Sequence, residues 1–506
     1  MLDFETVNAT VTVSEPTTGG EAECPVDGDF LLPDYCPDIA AVLKCSLKPV
    51  VLSRQWSGEK LLVDGQSTIR VLYLDEERKC VRSFECLQPF SCSISMSESG
   101  ADTPPVSVRL SYLNCRAASP RRLGIHGALM VKAQGNSCRE ASVLSDISGD
   151  SIYVRRETVC CSAPAGTAEK LFSISEVVDL GGGKPPAEML IQYTCTPVVT
   201  ECKQMTDKVI VKGRVSLCTL YAVNVSEGTT AKCVHEFPFS QILDIEGMDE
   251  TLKCITHAEV LSTDIHVTAD QNGANTLLAV TIKLCVRLDA RRSQTAEVVT
   301  DAYSGKYPCD TAAARLVTEE LKCVRLENTS LKEVLDMPSE SMSEIVDLWC
   351  DTLPVSTRAE GDLFYADGHL QIGMLARDRD GSISYYEHVS DYTLQFDERC
   401  DDMTVEVALT DMEYAIIGGK IEIRLEFLVN RCGYLRAVHT ALQEFRPSEE
   451  PYPEQRAALR ICRAKKGESV WEIAKGCHTA ASAVMEENDL DGDEVPSDMM
   501  LLVPLC

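Results

Sequence analysis

Ile421-Glu422-Ile423-Arg424-Leu425-Glu426-Phe427-Leu428-Val429-Asn430 puts an apolar residue at every odd position and, but for Leu428, a polar one at every even position. Successive side chains of a β-strand point to opposite faces, so this stretch reads as a strand with one face in a core and the other in water. Val280, Ile282, Leu284 and Val286 alternate in the same way with Thr281, Lys283 and Arg287. Such alternation predicts antiparallel sheets and a mainly β protein.

Compared with itself, the chain has a period near roughly 150 residues, the mark of repeated units. Cys45 precedes Asp64-Gly65, Cys195 precedes Lys212-Gly213, and Cys350 precedes Asp367-Gly368. Ile69, Leu217 and Ile372 follow four residues after these glycines, and Leu72, Leu220 and Leu375 seven after. Tyr73 and Tyr221 come next, where the third copy has Ala376, so that copy has diverged or the register slips there. Glycine after Asp64 and Asp367 predicts hairpin turns, since it takes positive φ without a Cβ clash. Each repeat is expected to be an antiparallel β-sandwich.

Helix-like segments are expected ahead of the strand sets. Leu32 to Leu43 carries Pro37 at a position that suits a first helical turn, and Ser330 and Glu333 stand at capping-box spacing. Composition then divides the chain into β-rich repeats over 1–160, 161–315 and 316–445, and a Pro-rich acidic linker over 446–458. A compact unit follows over 459–506. Ser469 and Glu472 repeat the capping-box spacing ahead of a helix burying Val470, Ile473 and Ala474, and a second helix is expected from about Ala480 to Glu487. Met500 to Pro504 should pair with Leu459 to Arg463, giving the order β-α-α-β.

The chain has 506 residues, with 48 Lys and Arg against 78 Asp and Glu, a net charge of -30. That charge repels nucleic acid and anionic lipid headgroups, so neither is expected as a partner. Met1-Leu2-Asp3-Phe4-Glu5 carries acids where a secretory signal has bases, and no apolar run reaches a bilayer-spanning length. The expectation is a cytoplasmic protein without membrane insertion, in which the 24 cysteines stay reduced and pack as small hydrophobes.

Motifs for chemistry are weak, and neither an enzyme nor a cofactor is expected. Cys477-His478 and Tyr386-Glu387-His388 are the nearest local candidates for catalysis, and neither assembles a nucleophile, base and orienting group. Cys254, His257 and His266 offer ligand types without the paired spacing of a zinc site, so no metal is expected. Cys160-Cys161 reads as packing on opposite strand faces. Gly181-Gly182-Gly183-Lys184 runs into Pro185-Pro186 and cannot cradle phosphate. The pairs Arg121-Arg122, Arg155-Arg156 and Arg291-Arg292 read as solvated loops.

Lys466-Gly467-Glu468-Ser469-Val470-Trp471-Glu472-Ile473-Ala474, Asn488-Asp489-Leu490 and Val503-Pro504 together resemble a LysM module. The resemblance implies binding at a groove framed by Gly467, Glu468, Ser469 and Val470 on one side and Asn488, Asp489 and Leu490 on the other, and it implies that Trp471 is a core aromatic of its own unit, packed between helix and sheet. LysM modules take N-acetylglucosamine chains there; this chain departs by carrying seven acids and no base over 486–498. The preceding residues, with Leu32-Pro33-Asp34-Tyr35-Cys36-Pro37-Asp38-Ile39 as the motif, resemble the SPOCS-domain family of spore-forming Firmicutes, especially the SipL-type coat morphogenetic proteins that end in LysM. That implies a non-enzymatic scaffold at the forespore surface in the mother cell, binding a coat basement-layer ATPase; the alternative is a peptidoglycan-binding protein of wall or cortex. The Leu32 to Ile39 motif is open to two readings, a docking surface or a structural entry into the repeat.

Overall fold

The computed structural model describes residues 4–16, 19–96, 104–133, 136–353, 355–453 and 457–505. Within them the chain follows one path three times, and every ladder is antiparallel. The first pass consists of β1 (Phe4–Pro16), β2 (Gly20–Leu31), β3 (Ala41–Ser57), β4 (Lys60–Leu74), β5 (Val81–Ser95), β6 (Val106–Ser119), β7 (Arg122–Ala133) and β8 (Asn136–Gly149). The second has β9 (Ile152–Asp179), β10 (Met189–Met205), β11 (Lys208–Asn224), β12 (Thr229–Asp244), β13 (Lys253–Thr268) and β14 (Leu277–Ser304). The third has β15 (Cys309–Asp336), β16 (Met342–Thr352), β17 (Ser356–Glu360), β18 (Leu363–Asp378), β19 (Ile383–Phe396), β20 (Asp402–Ile417) and β21 (Lys420–Pro447).

Each pass folds into two sheets. The second is the simplest, with β10-β11-β12 packed on β13-β14-β9. In the first, β3-β4-β5 packs on β2-β7-β6, while β1 and β8 continue the outer ribbon as a separate pair. In the third, β16 and β17 share one edge of β18, β19 takes the other, and β15-β21-β20 forms the second layer. Each sandwich has its own core: Ile69, Phe90 and Leu129 in the first, Leu217, Phe239 and Ile282 in the second, Ile372, Tyr392 and Phe427 in the third. The expected boundaries at 160 and 315 fall within β9 and β15, because the long ribbons run past the sandwiches.

A further core joins the three. Leu72 and Leu74, Leu220 and Ala222, and Leu375 and Ile383 pack together with Leu43, Ile191 and Val346. The last three are supplied by bulges at equivalent places, between Val42 and Lys44, Leu190 and Gln192, and Ile345 and Asp347. An extra residue in one strand turns its side chain out of the regular pattern, here toward the shared core. Polar ties link each neighbouring pair. Arg70 donates to the Tyr193 carbonyl at 2.6 Å, Lys232 to Asp347 at 2.8 Å, and Lys44 pairs with Glu387. Where the ribbons outrun the sandwiches they pack as a second three-way cluster of Val11, Val143, Val159, Val298, Leu316 and Ala441.

The expected helix-like segments are corrected. Residues 32–40 form a turn and irregular chain, and Ser330 to Glu333 lies inside β15, where Ser330 pairs with Glu426. A ladder partner from elsewhere in the chain outweighs local capping chemistry, and Pro33 and Pro37 lack the N–H groups a helix interior needs. The expected turns are corrected too. Gly65, Gly213 and Gly368 sit inside β4, β11 and β18, directly opposite Phe90, Phe239 and Tyr392. Ala376 holds the ladder place of Tyr73 and Tyr221, facing Ile345 as they face Val42 and Leu190, so the third copy diverged without slipping. The ladders also place Leu47, across from Ile69, where Cys195 faces Leu217 and Cys350 faces Ile372; Cys45 stands two residues away. No helix among the described residues is long and apolar enough to cross a membrane.

Candidate docking site

The C-terminal unit has the expected β-α-α-β order. β22 (Leu459–Ala464) pairs with β23 (Met499–Pro504), and α1 (Val470–Gly476) and α2 (Ala481–Glu487) pack on the sheet. Ser469 caps α1, its side chain accepting from the Glu472 N–H. Asn488 closes α2 and ties it to β23: its amide donates to the Val484 and Leu502 carbonyls and its oxygen accepts from the Leu502 N–H, each at 2.7 Å. Such bonds satisfy groups that a helix end leaves unpaired. Val470, Ala474, Val484, Leu501 and Val503 form the core.

The expected groove residues divide by burial. Gly467, Glu468 and Asp489 are exposed, and Ser469, Asn488 and Leu490 are half-buried. Val470 is wholly buried, so its side chain is no part of a groove surface. Gly467 turns the chain at φ 84°, a value that favours glycine. The first turn is bonded to the end of the acidic loop rather than left open. Gly467 donates to the Val495 carbonyl, Val495 to Glu468, and Val470 to Asp493 at 2.6 Å. Asp493 also accepts from the Ser469 hydroxyl and the Trp471 N–H.

Trp471 corrects the sequence reading. It lies outside the unit's own core and faces β14, where its indole Nε1–H donates to Asp301 at 2.8 Å and its ring meets Tyr303 edge-on at 4.9 Å. Lys475, one turn further on the same helix face, bonds both oxygens of Asp301. The Tyr303 hydroxyl donates to the Thr479 carbonyl at 2.7 Å, and Arg155 pairs with Asp493 at 3.4 Å. Tyr452 of the linker stacks on His478, whose ring burial depresses its basicity. Gly305 completes the fit: a Cβ there would lie 2.9 Å from the His478 carbonyl oxygen. Asp301, Tyr303 and Gly305 carry no local pattern that would have marked them, because what they touch lies far along the chain.

The Leu32 to Ile39 motif links β2 to β3. Leu32, Cys36 and Ile39 are buried, while Asp34 is exposed and Tyr35 is 87% exposed. Arg121 holds the segment, donating to Asp38 at 2.8 Å and to the carbonyls of Pro33, Cys36 and Leu32. Of the basic pairs, Arg122, Arg155, Arg156 and Arg292 are exposed and Arg121 and Arg291 half-buried; Arg156 meets Asp146, Arg291 meets Asp289 and Arg292 meets Asp249 as ion pairs.

The sequence candidates for chemistry are dispersed. His257 pairs with Glu406 of the third sandwich, His266 with Asp264, and Cys254 with Cys202. Cys161 is buried and Cys160 exposed, as their opposite faces require. Among the described residues no group of three or more His, Cys, Asp and Glu side chains is placed to hold a metal ion. A cleft of about 530 Å³ opens between the second and third sandwiches, with His257, Asp351, Glu406 and Asn430 in its walls.

Repeated two-layer β units around a shared core, with a small α/β unit docked at one end, define a mainly β, multi-unit architecture. Two segments, 38–118 and 186–268, match the family model described as SipL, SPOCS domain. They run from just before β3 to the last residues of β6, and from just before β10 to the end of β13, so the same part of the path is matched twice. The match supports the SPOCS family and a sporulation-related protein. No curated protein and no solved structure matches the chain.

Proposed function

We propose that this chain is a non-enzymatic scaffold of spore coat assembly, working in the mother cell at the forespore surface and holding a coat basement-layer ATPase through its C-terminal unit, which we read as LysM. The observation that carries this reading is the double match to the SPOCS domain, in two units built on one plan. Three sandwiches tied through a common core make a rigid support, and the C-terminal unit is fastened to it through Asp301 and Tyr303. Rigid attachment lowers the entropy that a partner's binding must overcome. The contact surface is Gly467, Glu468, Asp489 and the exposed side of Leu490.

The test is capture of the purified ATPase by the full chain and by Glu468→Lys and Asp489→Asn variants. Asparagine tolerates the φ of 54° at position 489, so that variant keeps the fold. Loss of capture by both variants supports the reading; full capture by both moves the docking surface elsewhere, first to Tyr35 and Asp34. Retention on purified peptidoglycan that survives high salt would favour the glycan-binding alternative, against which the seven acids over 486–498 weigh.

A further inference from the structure

Among the described residues, thiols from elements distant along the chain come together in three separate parts of the molecule. In the C-terminal unit the Sγ atoms of Cys462, on β22, and Cys477, at the cap of α1, lie 4.0 Å apart. In the first sandwich Cys45 of β3 stands beside Cys115 of β6, and in the second Cys202 of β10 stands beside Cys254 of β13, each thiol within electrostatic reach of its partner. β3 and β6 belong to different sheets, as do β10 and β13, so each of these pairs spans the two layers of its sandwich. All six are free thiols. We propose that the pairs 45–115, 202–254 and 462–477 are dithiol–disulfide staples, closed by exchange with a low-molecular-weight disulfide and reopened by thiols.

The exchange balances without any other reagent. One protein thiolate attacks the reagent disulfide, forming a mixed disulfide and releasing one reagent thiol; the partner thiolate then displaces the second. The dithiol gives up two electrons and two protons, and the reagent leaves as two thiols. Each pair has a member within reach of solvent, since Cys45, Cys115, Cys202 and Cys462 are only half-buried. In the third pair burial pushes the Cys477 thiol up, while Arg460, 3.9 Å away, favours its charged form. Closing a bond of about 2.05 Å from 4.0 Å asks for a shift within a side chain's rotameric reach.

Cys160 supplies the contrast. It is exposed, while Cys161 points into the core on the opposite strand face, so the neighbouring thiol is turned away from a mixed disulfide at Cys160.

The full chain is treated with oxidised glutathione, digested without reductant and mapped by mass spectrometry. The expected map has three cross-linked peptide pairs, 45–115, 202–254 and 462–477, with glutathione retained on Cys160. The thermal midpoint should rise and fall back on adding a thiol, because the links restrict the unfolded chain. Cys462→Ser should lose only the 462–477 link. Glutathione retained on the six paired cysteines, links scrambled among other cysteines, or links that leave the midpoint unchanged would overturn the proposal.

Discussion

Gly65 stands directly across the β4–β5 ladder from Phe90, whose ring covers the space a side chain at 65 would need. A Cβ there would come within 2.5 Å of Phe90 Cε1 and of the Val50 carbonyl oxygen. The arrangement recurs at Gly213 under Phe239 and Gly368 under Tyr392. A bare strand glycine leaves the backbone open to water, and the ring across the ladder shields it while filling the sandwich core.

Gly65→Ala should therefore destabilise the first sandwich by roughly 1–3 kcal/mol through overpacking. Phe90→Ala, which empties the same place, should cost roughly 3–5 kcal/mol. Urea unfolding followed by hydrogen exchange in β4 and β5 measures both, and Gly65→Ala without loss of stability would refute the steric account.

Trp471→Ala should leave the C-terminal unit folded and release it from β14. The side chain is outside that unit's core, and its removal strips Asp301 of one donor and Tyr303 of one ring contact, leaving that with Tyr153. A hydrogen bond to a charged group is worth about 1.5–3 kcal/mol, enough to shift docking by ten-fold or more. Unchanged helical circular dichroism with faster proteolysis of 446–458 is the expected pair of results; loss of the helical signal would return Trp471 to the core of its own unit.

Lys232→Ala should cost roughly 3–5 kcal/mol, because it leaves the Asp347 carboxylate buried between the second and third sandwiches without its cation. Gln192 and the Leu348 N–H would remain as donors but carry no charge. Lys232→Ala with Asp347→Leu should recover much of the loss. Thermal unfolding of the two variants checks the pair.

The His257–Glu406 pair should make the contact between second and third sandwiches pH-dependent. The hydrogen bond that the His257 ring donates to the Glu406 carboxylate raises the His257 pKa against partial desolvation in the cleft, with Glu259 and Arg287 as the other charges nearby. Burial works against the Glu406 charge, but the bond and charge of His257 outweigh it and hold that carboxyl below its ordinary range. A raised histidine stabilises fully below its unfolded pKa of about 6.5 and loses this as pH rises; a lowered glutamate stabilises above about 4.3 and loses this as pH falls. Protection of β13 and β20 amides should thus be greatest between about pH 4.3 and 6.5. His257→Gln should flatten the profile.

Much of this architecture was legible locally. Alternation marked the strands, since facing is a property of the strand backbone itself, and capping residues marked α1. What misled was local chemistry with a distant competitor. Ser330 and Glu333 have helix-capping spacing, yet β21 offered a full ladder; Gly65 looked like a turn because Phe90, its reason for being glycine, lies 25 residues on. The groove was legible only as a stretch of chain, and its division into exposed Glu468 and buried Val470 needed the fold.

The repeat itself draws the line between the two kinds of information. By itself the sequence determined that Ile69, Leu217 and Ile372 lie on one strand face and that Leu72, Leu220 and Leu375, three residues further on, lie on the other, because strand faces alternate with a period of two. Only the tertiary structure decided what each face meets. The first set fills three separate sandwich cores, and the second joins Leu43, Ile191 and Val346 in one core shared by all three units. Parity is carried by each residue's own backbone, whereas that shared core exists only after three distant stretches of chain have packed together.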